Sequence, residues 1–180
     1  MRSIETTMLL LPLVYMIHDA GVGRFVVAWA RRHEHEIVRC FPRISQYLLP
    51  NLRRFTTRGF AFAALEELVL ISLFTLLAIK FRLYSFWAGI VLGFFVHLLV
   101  HLVQIVFVCR YFPFLLTSAI GTGYCVLAFR LLTAQGALHW GHVSLWALAS
   151  AIFLALNVKF MHSLASHLFK RAEDRVRKLI

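Results

Sequence analysis

Acidic residues are scarce in this chain. Eight Asp and Glu stand against nineteen Lys and Arg, and charged residues of both signs make up only 15%. Cysteine is scarcer still: Cys40, Cys109 and Cys125 form no Cys-x-x-Cys pair. That spacing excludes a disulfide framework, and the two cysteines inside apolar runs read as small packed hydrophobes. Internal repeats and low-complexity segments are absent. Nucleic-acid-binding signatures are absent too, although the formal net charge is +11 and the pI about 10.5. The basic residues flank apolar runs, so anionic lipid headgroups, rather than nucleic acid, are the expected partner of that charge.

What the chain has instead is apolar length. Of its 180 residues, 61% are hydrophobic, and the mean hydropathy is +0.77. A soluble domain is nearer half apolar. The excess collects in runs of about 20 residues, which match the hydrocarbon thickness of a bilayer. The expected fold is all-α, an integral membrane helical bundle of about five transmembrane helices, forming a single transmembrane domain over residues 1–180. The spans run from Thr7 to Ala30, Thr57 to Ile79, Tyr84 to Val108, Phe112 to Thr133 and Val143 to Leu168. Residues 31–56 form a basic interfacial segment, with Ile37, Phe41, Ile44 and Leu48 at helical spacing and with Pro42 and Pro50 as breaks. Residues 169–180 form a basic cytoplasmic tail.

The first span carries His18-Asp19, Gly21 and Gly23 near its middle, a pattern that suggests a broken helix of the transporter kind. Arg2, the stretch Met8 to Ile17 and Ala28-Trp29-Ala30 mimic a signal peptide, but His18, Asp19 and Arg24 interrupt the spacing. The segment therefore reads as a retained span. Trp29, Trp87, Trp140 and Trp146 fall near span ends, as an aromatic belt would.

Charge bias orients the bundle. Arg31, Arg32, Arg39, Arg43, Arg53, Arg54 and Arg58 fill the segment leading into the second span, Arg110 follows the third, and Lys170, Arg171, Arg175, Arg177 and Lys178 lie in the tail. With five spans these share one side, and only Arg2, Lys80 and Arg82 lie on the other. The positive-inside rule puts the N-terminus outside and the C-terminus in the cytoplasm. A four-span arrangement, with the first run only interfacial, is the competing count.

Polar groups are costly in a span and usually face the bundle interior or a water-filled cavity. Here they recur at one depth: His18 and Asp19 in the first span, Glu66 and Glu67 in the second, His97 and His101 in the third, Asn157 in the fifth with His162 beyond it. His97 and His101 are four apart and share a helix face, with Gln104 one turn on. Imidazoles from facing helices with a nearby carboxylate make a candidate metal site for a divalent transition metal such as zinc or iron. The expected ligands are His18, His97 and His101, with Asp19, Gln104, Asn157 and His162 supporting them. Glu66 and Glu67 are the candidate catalytic acid and base; on a helix they point about 100° apart, so one faces the site. The plain alternative is that these groups bond one another and hold the helices together. The pair lacks the His-Glu-x-x-His pattern of metalloproteases. His33-Glu34-His35-Glu36, His139 and His142 read as solvated loop residues, and Gly121 and Gly123 as close helix packing.

His97-x-x-x-His101-x-x-Gln104, then Arg110-Tyr111-Phe112-Pro113 and Thr117, resembles the HXXEE family of bacterial membrane proteins. In that family a His-rich helix leads into an Arg-Tyr-x-Pro-Gly turn and a following Thr. The family's own motif corresponds to His18-Asp19-Ala20-Gly21-Val22: the His is kept and both glutamates are absent. Phe114 stands where the family has Gly. The resemblance implies a small polytopic protein of the bacterial inner membrane and implies no particular activity. Glu66 and Glu67 are placed to supply the missing carboxylates. Intramembrane glutamic proteases also pair Glu-Glu with later histidines, but they need an Arg where this chain has Ile71.

Three functions fit this pattern. The leading one is a metal-dependent membrane enzyme acting on a lipid or another apolar small molecule. The others are a small transporter or proton-coupled carrier, and a membrane scaffold without catalytic activity.

Overall fold

These helices are apolar nearly all the way round, so their packing is decided by where the small and polar residues fall. The computed structural model describes residues 2–40, 42, 43, 45, 46, 49, 57–108 and 115–177. Among them are helices α1 (Arg2–Arg32), α2 (Glu34–Cys40), α3 (Thr57–Phe81), α4 (Tyr84–Val108), α5 (Leu115–Ala134) and α6 (Trp140–Arg177). Four are long and apolar enough to cross a membrane, over Ala61–Phe81, Tyr84–Leu102, Leu115–Ala134 and Trp140–Met161. The fifth long helix, α1, carries His18 and Asp19 and packs into the bundle against α3 and α5.

The five long helices close a ring in the order α1, α3, α6, α4, α5, with α5 returning to α1. The two-residue link between α3 and α4 makes them antiparallel. Ring neighbours α4 and α6 run parallel, because Gly89 near the start of α4 meets Trp146 near the start of α6.

Helix α1 buries Ile4, Met8, Leu11, Tyr15 and His18, a run of alternating four- and three-residue steps that forms one face. Its other face turns Leu9, Leu10, Leu13, Met16 and Ile17 outward. Helix α3 likewise exposes Leu65, Val69, Leu73 and Leu76, and α6 exposes Leu145, Leu148, Ile152, Leu156 and Phe160. A soluble monomer rarely shows apolar patches beyond a few hundred Å². In a bilayer such surface is where lipid sits, and polar groups belong inside. His18, Thr75 and Ser118 are indeed buried. The fold is an all-α membrane bundle.

Several expectations need correction. The central glycines do not break α1, which runs unbroken through Pro12, Gly21 and Gly23. A helical glycine costs only about 1 kcal/mol, which packing along a long buried stripe outweighs. Trp87 is core rather than belt: it is fully buried, and its Nε1–H donates to Thr75 Oγ1 at 3.3 Å. Trp140 and Trp146 are exposed, as a belt requires. Helix α6 continues through the basic tail as far as Arg177. In the interfacial segment, Ile37 is buried with Leu49 against Trp29. Phe41, Ile44, Leu48 and Pro50 lie outside the described residues.

Candidate metal centre

Two buried stripes converge on the site. Helix α4 buries Trp87, Val91, Phe94 and Leu98 at four- and three-residue steps, and His101 continues that stripe. His97 lies one helical turn before His101, on the stripe's edge. On α1 the stripe ends in Tyr15 and His18. Side chains from these two helices meet across the ring. Tyr15 and His18 stand 5.8 and 5.9 Å from the Phe94 ring, centroid to centroid. The His18 ring is 5.6 Å from His97 and 5.4 Å from His101, and the latter two are 4.5 Å apart.

One nitrogen from each imidazole lies within 4.8 Å of the other two. His97 Nε2 and His101 Nε2 are 3.1 Å apart. A tetrahedral ion with metal–nitrogen bonds of about 2.0–2.1 Å holds its nitrogens roughly 3.3 Å apart. The α4 pair is thus near the spacing that a shared ion needs. Without an ion, the same distance suits one neutral imidazole donating to the other.

His18 is completely buried. Its Nδ1 is 3.4 Å from Thr117 Oγ1 on α5, and its Nε2 is buried with no hydrogen-bond partner among the described residues. Leaving such an atom unsatisfied costs about 1–3 kcal/mol. It is the orphaned atom that a metal ion would satisfy, so the donor set fits one. Three neutral imidazoles suit zinc or iron and leave coordination positions open. His97 is exposed and His101 partly so, which opens the centre on the α4 side. At 1.5 Å per residue, His97 lies about 20 Å from the start of α4, within bilayer depth.

Among the described residues no carboxylate joins the three imidazoles at that spacing. The adjacent glutamates serve different neighbours, as their 100° offset on α3 requires. Glu67 reaches α1, where its Oε2 is hydrogen-bonded to the Tyr15 hydroxyl. The same hydroxyl is 2.8 Å from Asp19 Oδ2. A phenol has one hydrogen, so bonding both carboxyls requires that one of them carry a proton and donate it to the phenol oxygen. Glu66 faces α6, where Asn157 Nδ2–H donates to its Oε2 at 2.8 Å. The side chains of Gln104 and His162 lie outside the described residues, as do Arg110 to Pro113.

Tyr15 escaped the sequence reading. Its only signal is a place on the α1 stripe three residues before His18. Tyr15→Phe removes a hydroxyl that links the two half-buried carboxyls of Asp19 and Glu67. The variant is expected to lose about 1–3 kcal/mol of stability, the cost of unsatisfied buried polar atoms. Thermal denaturation of the purified protein in detergent would show this as a lowered Tm, and an unchanged Tm would mean that the phenol is not holding the carboxyls.

Residues 9–129 match the family model described as a protein of unknown function with HXXEE motif. The chain belongs to the HXXEE family. The match takes in His18, Glu66, Glu67, His97, His101 and Thr117, so the three imidazoles and the partner of His18 all lie within the HXXEE region, while Asn157 lies beyond it. No curated protein and no solved structure matches the chain.

Proposed function

We propose that this HXXEE protein is a metal-dependent membrane enzyme acting on a lipid or another apolar molecule. The observation that carries this is the buried Nε2 of His18, unpartnered among the described residues, on a ring with a nitrogen within 4.8 Å of nitrogens on His97 and His101. His18, His97 and His101 would hold a zinc or iron ion, and its chemistry there would be Lewis acidity toward a substrate oxygen or a water. The chain's own residues do the rest. Thr117 accepts from Nδ1–H of His18 and so keeps the lone pair on Nε2. Glu67, bonded to Tyr15 one helical turn from His18, is the carboxyl that would take up or return a proton at Oε2. Asn157 fixes Glu66 and braces α3 against α6. His97 is the exposed member of the set, so a substrate would approach it sideways from the bilayer.

The bundle sits in a bacterial inner membrane with α1 starting outside. The basic segment and tail lie on the cytoplasmic face against anionic headgroups.

The test is the metal content of full-length protein purified in detergent without chelators, followed by a screen of lipid substrates with and without metal. Near-stoichiometric zinc or iron, with turnover that stops on chelation and returns on reloading, is the expected result. Protein that is folded, metal-free and unable to take up added metal would overturn the proposal.

A further inference from the structure

The opposite end of the bundle carries a second site. The turn between α3 and α4 and the turn between α5 and α6 lie side by side there, pinned where the His139 backbone N–H donates to Ser85 Oγ at 3.2 Å. Between them is a cavity of about 420 Å³. Its lining includes Arg82, Ser85, His139 and His142 on one hand, and Phe86 and Trp146 on the other. The two imidazole rings stand 5.7 Å apart, and Phe86 meets Trp146 edge to face at 5.0 Å.

The chemistry of this lining is one-sided. Its polar lining residues include an arginine, two histidines and a serine, and no Asp or Glu is among the described residues that line it. Glu5, the acidic residue on the helix that starts at this end, is not part of it. An Arg fork is the best protein match to a phosphate, binding two oxygens at once. The aromatic pair beside it belongs to the belt where one side of a site is wet and the other meets acyl chains. The volume falls in the range of small-molecule pockets and exceeds what a bare phosphate needs. Arg82 also holds a conformation that favours glycine, with φ at 54°.

We infer that this cavity is a binding site for the phosphate headgroup of an anionic phospholipid, with Arg82, His139 and His142 on the phosphate and Phe86 and Trp146 against the upper acyl chain. It is separate from the imidazole centre, which lies about 20 Å further along α4 at 1.5 Å per residue. The occupant comes from the leaflet at the α4 and α6 starts, away from the basic segment.

Arg82→Gly makes the test sharp, because the two roles of the residue move in opposite directions. Full-length protein in neutral detergent is titrated with short-chain phosphatidylglycerol, phosphatidylcholine or inorganic phosphate, and bound lipid is counted by native mass spectrometry and calorimetry. One phosphatidylglycerol is expected per chain, bound at least tenfold more weakly by Arg82→Gly and by His139→Ala/His142→Ala. Arg130→Gln, an exposed arginine on α5 outside the cavity, is expected to bind as the native protein does. The Arg82→Gly protein is expected to melt at the same temperature or higher. Equal binding of phosphatidylcholine, inorganic phosphate as tight as the lipid, or undiminished binding in a folded Arg82→Gly protein would each overturn the assignment.

Discussion

Replacing His18 with Phe is expected to strip the purified protein of metal while leaving its fold intact. The side chain is fully buried, its bond to Thr117 is long at 3.4 Å, and its Nε2 has no partner among the described residues. Exchanging such a group for an apolar one of similar shape is nearly neutral or stabilising, because an unsatisfied buried nitrogen disappears. Phe also suits the neighbourhood, since Phe94 already packs edge-on to the His18 ring at 5.9 Å. If the histidines only tie helices together, His18→Phe therefore costs little and changes no binding property. If they hold an ion, it removes one of three ligands and bound metal falls to background. His97→Ala/His101→Ala removes the other two and is expected to do the same. Thr117→Val keeps all three imidazoles and loosens only the Nδ1 contact. Outer partners of this kind are worth about 10–100-fold in metal affinity, so that variant should bind metal weakly but measurably. The readouts are metal per chain, a metal titration, and Tm in detergent. Native-like metal content in folded His18→Phe would place any metal elsewhere.

Much of this centre was legible in the chain, and the rest was hidden for a physical reason. The third span, read as Tyr84 to Val108, coincides with α4. Polar groups are so costly in hydrocarbon that their depth can be counted along each run, and His18, His97 and His101 duly meet. The rotation of each helix was harder to read. In water a buried stripe stands out against a polar face, but here Leu9, Leu13 and Ile17 on the outside of α1 are as apolar as Met8 and Leu11 inside. With that contrast gone, Trp87 passed for a belt residue because it sits near a helix end. Its membership of the stripe Trp87, Val91, Phe94, Leu98 makes it core. Tyr15 went unnoticed for the same reason. The split of Glu66 toward α6 and Glu67 toward α1 follows from the ring order, which no local spacing encodes. His139 and His142 come from the α5–α6 connection and the start of α6, and Arg82 from the turn after α3, so no local spacing shows that they line one cavity.

Gly89→Ala is expected to be the most damaging of the alanine substitutions at the described glycines of α4 and α5. A Cβ built on Gly89 would stand 2.5 Å from Trp146 Cβ and 2.9 Å from the backbone of Trp146 and Ala147. Backbone and Cβ atoms cannot swing aside as a side-chain tip can, so α4 and α6 must move apart. Membrane helices associate through close packing at small residues rather than through a hydrophobic drive, so lost contact along that line is not recovered elsewhere. Overpacking of this kind costs about 1–3 kcal/mol, and Gly89→Val should cost more. The other glycines supply the comparison. At Gly121 the new methyl would meet Leu98 Cδ1 at 2.8 Å, a flexible tip that can turn away. At Gly93 and Gly123 nothing lies within 4 Å. There alanine should stabilise by up to about 1 kcal/mol through helix propensity alone. Melting temperatures in one detergent should therefore rank Gly89→Ala lowest, Gly121→Ala next, and Gly93→Ala and Gly123→Ala at or above the native protein. Because Trp146 also lines the outer cavity, the Gly89→Ala shift should loosen the lipid headgroup as well. A Gly89→Ala protein with native stability would mean that α4 and α6 do not pack as described.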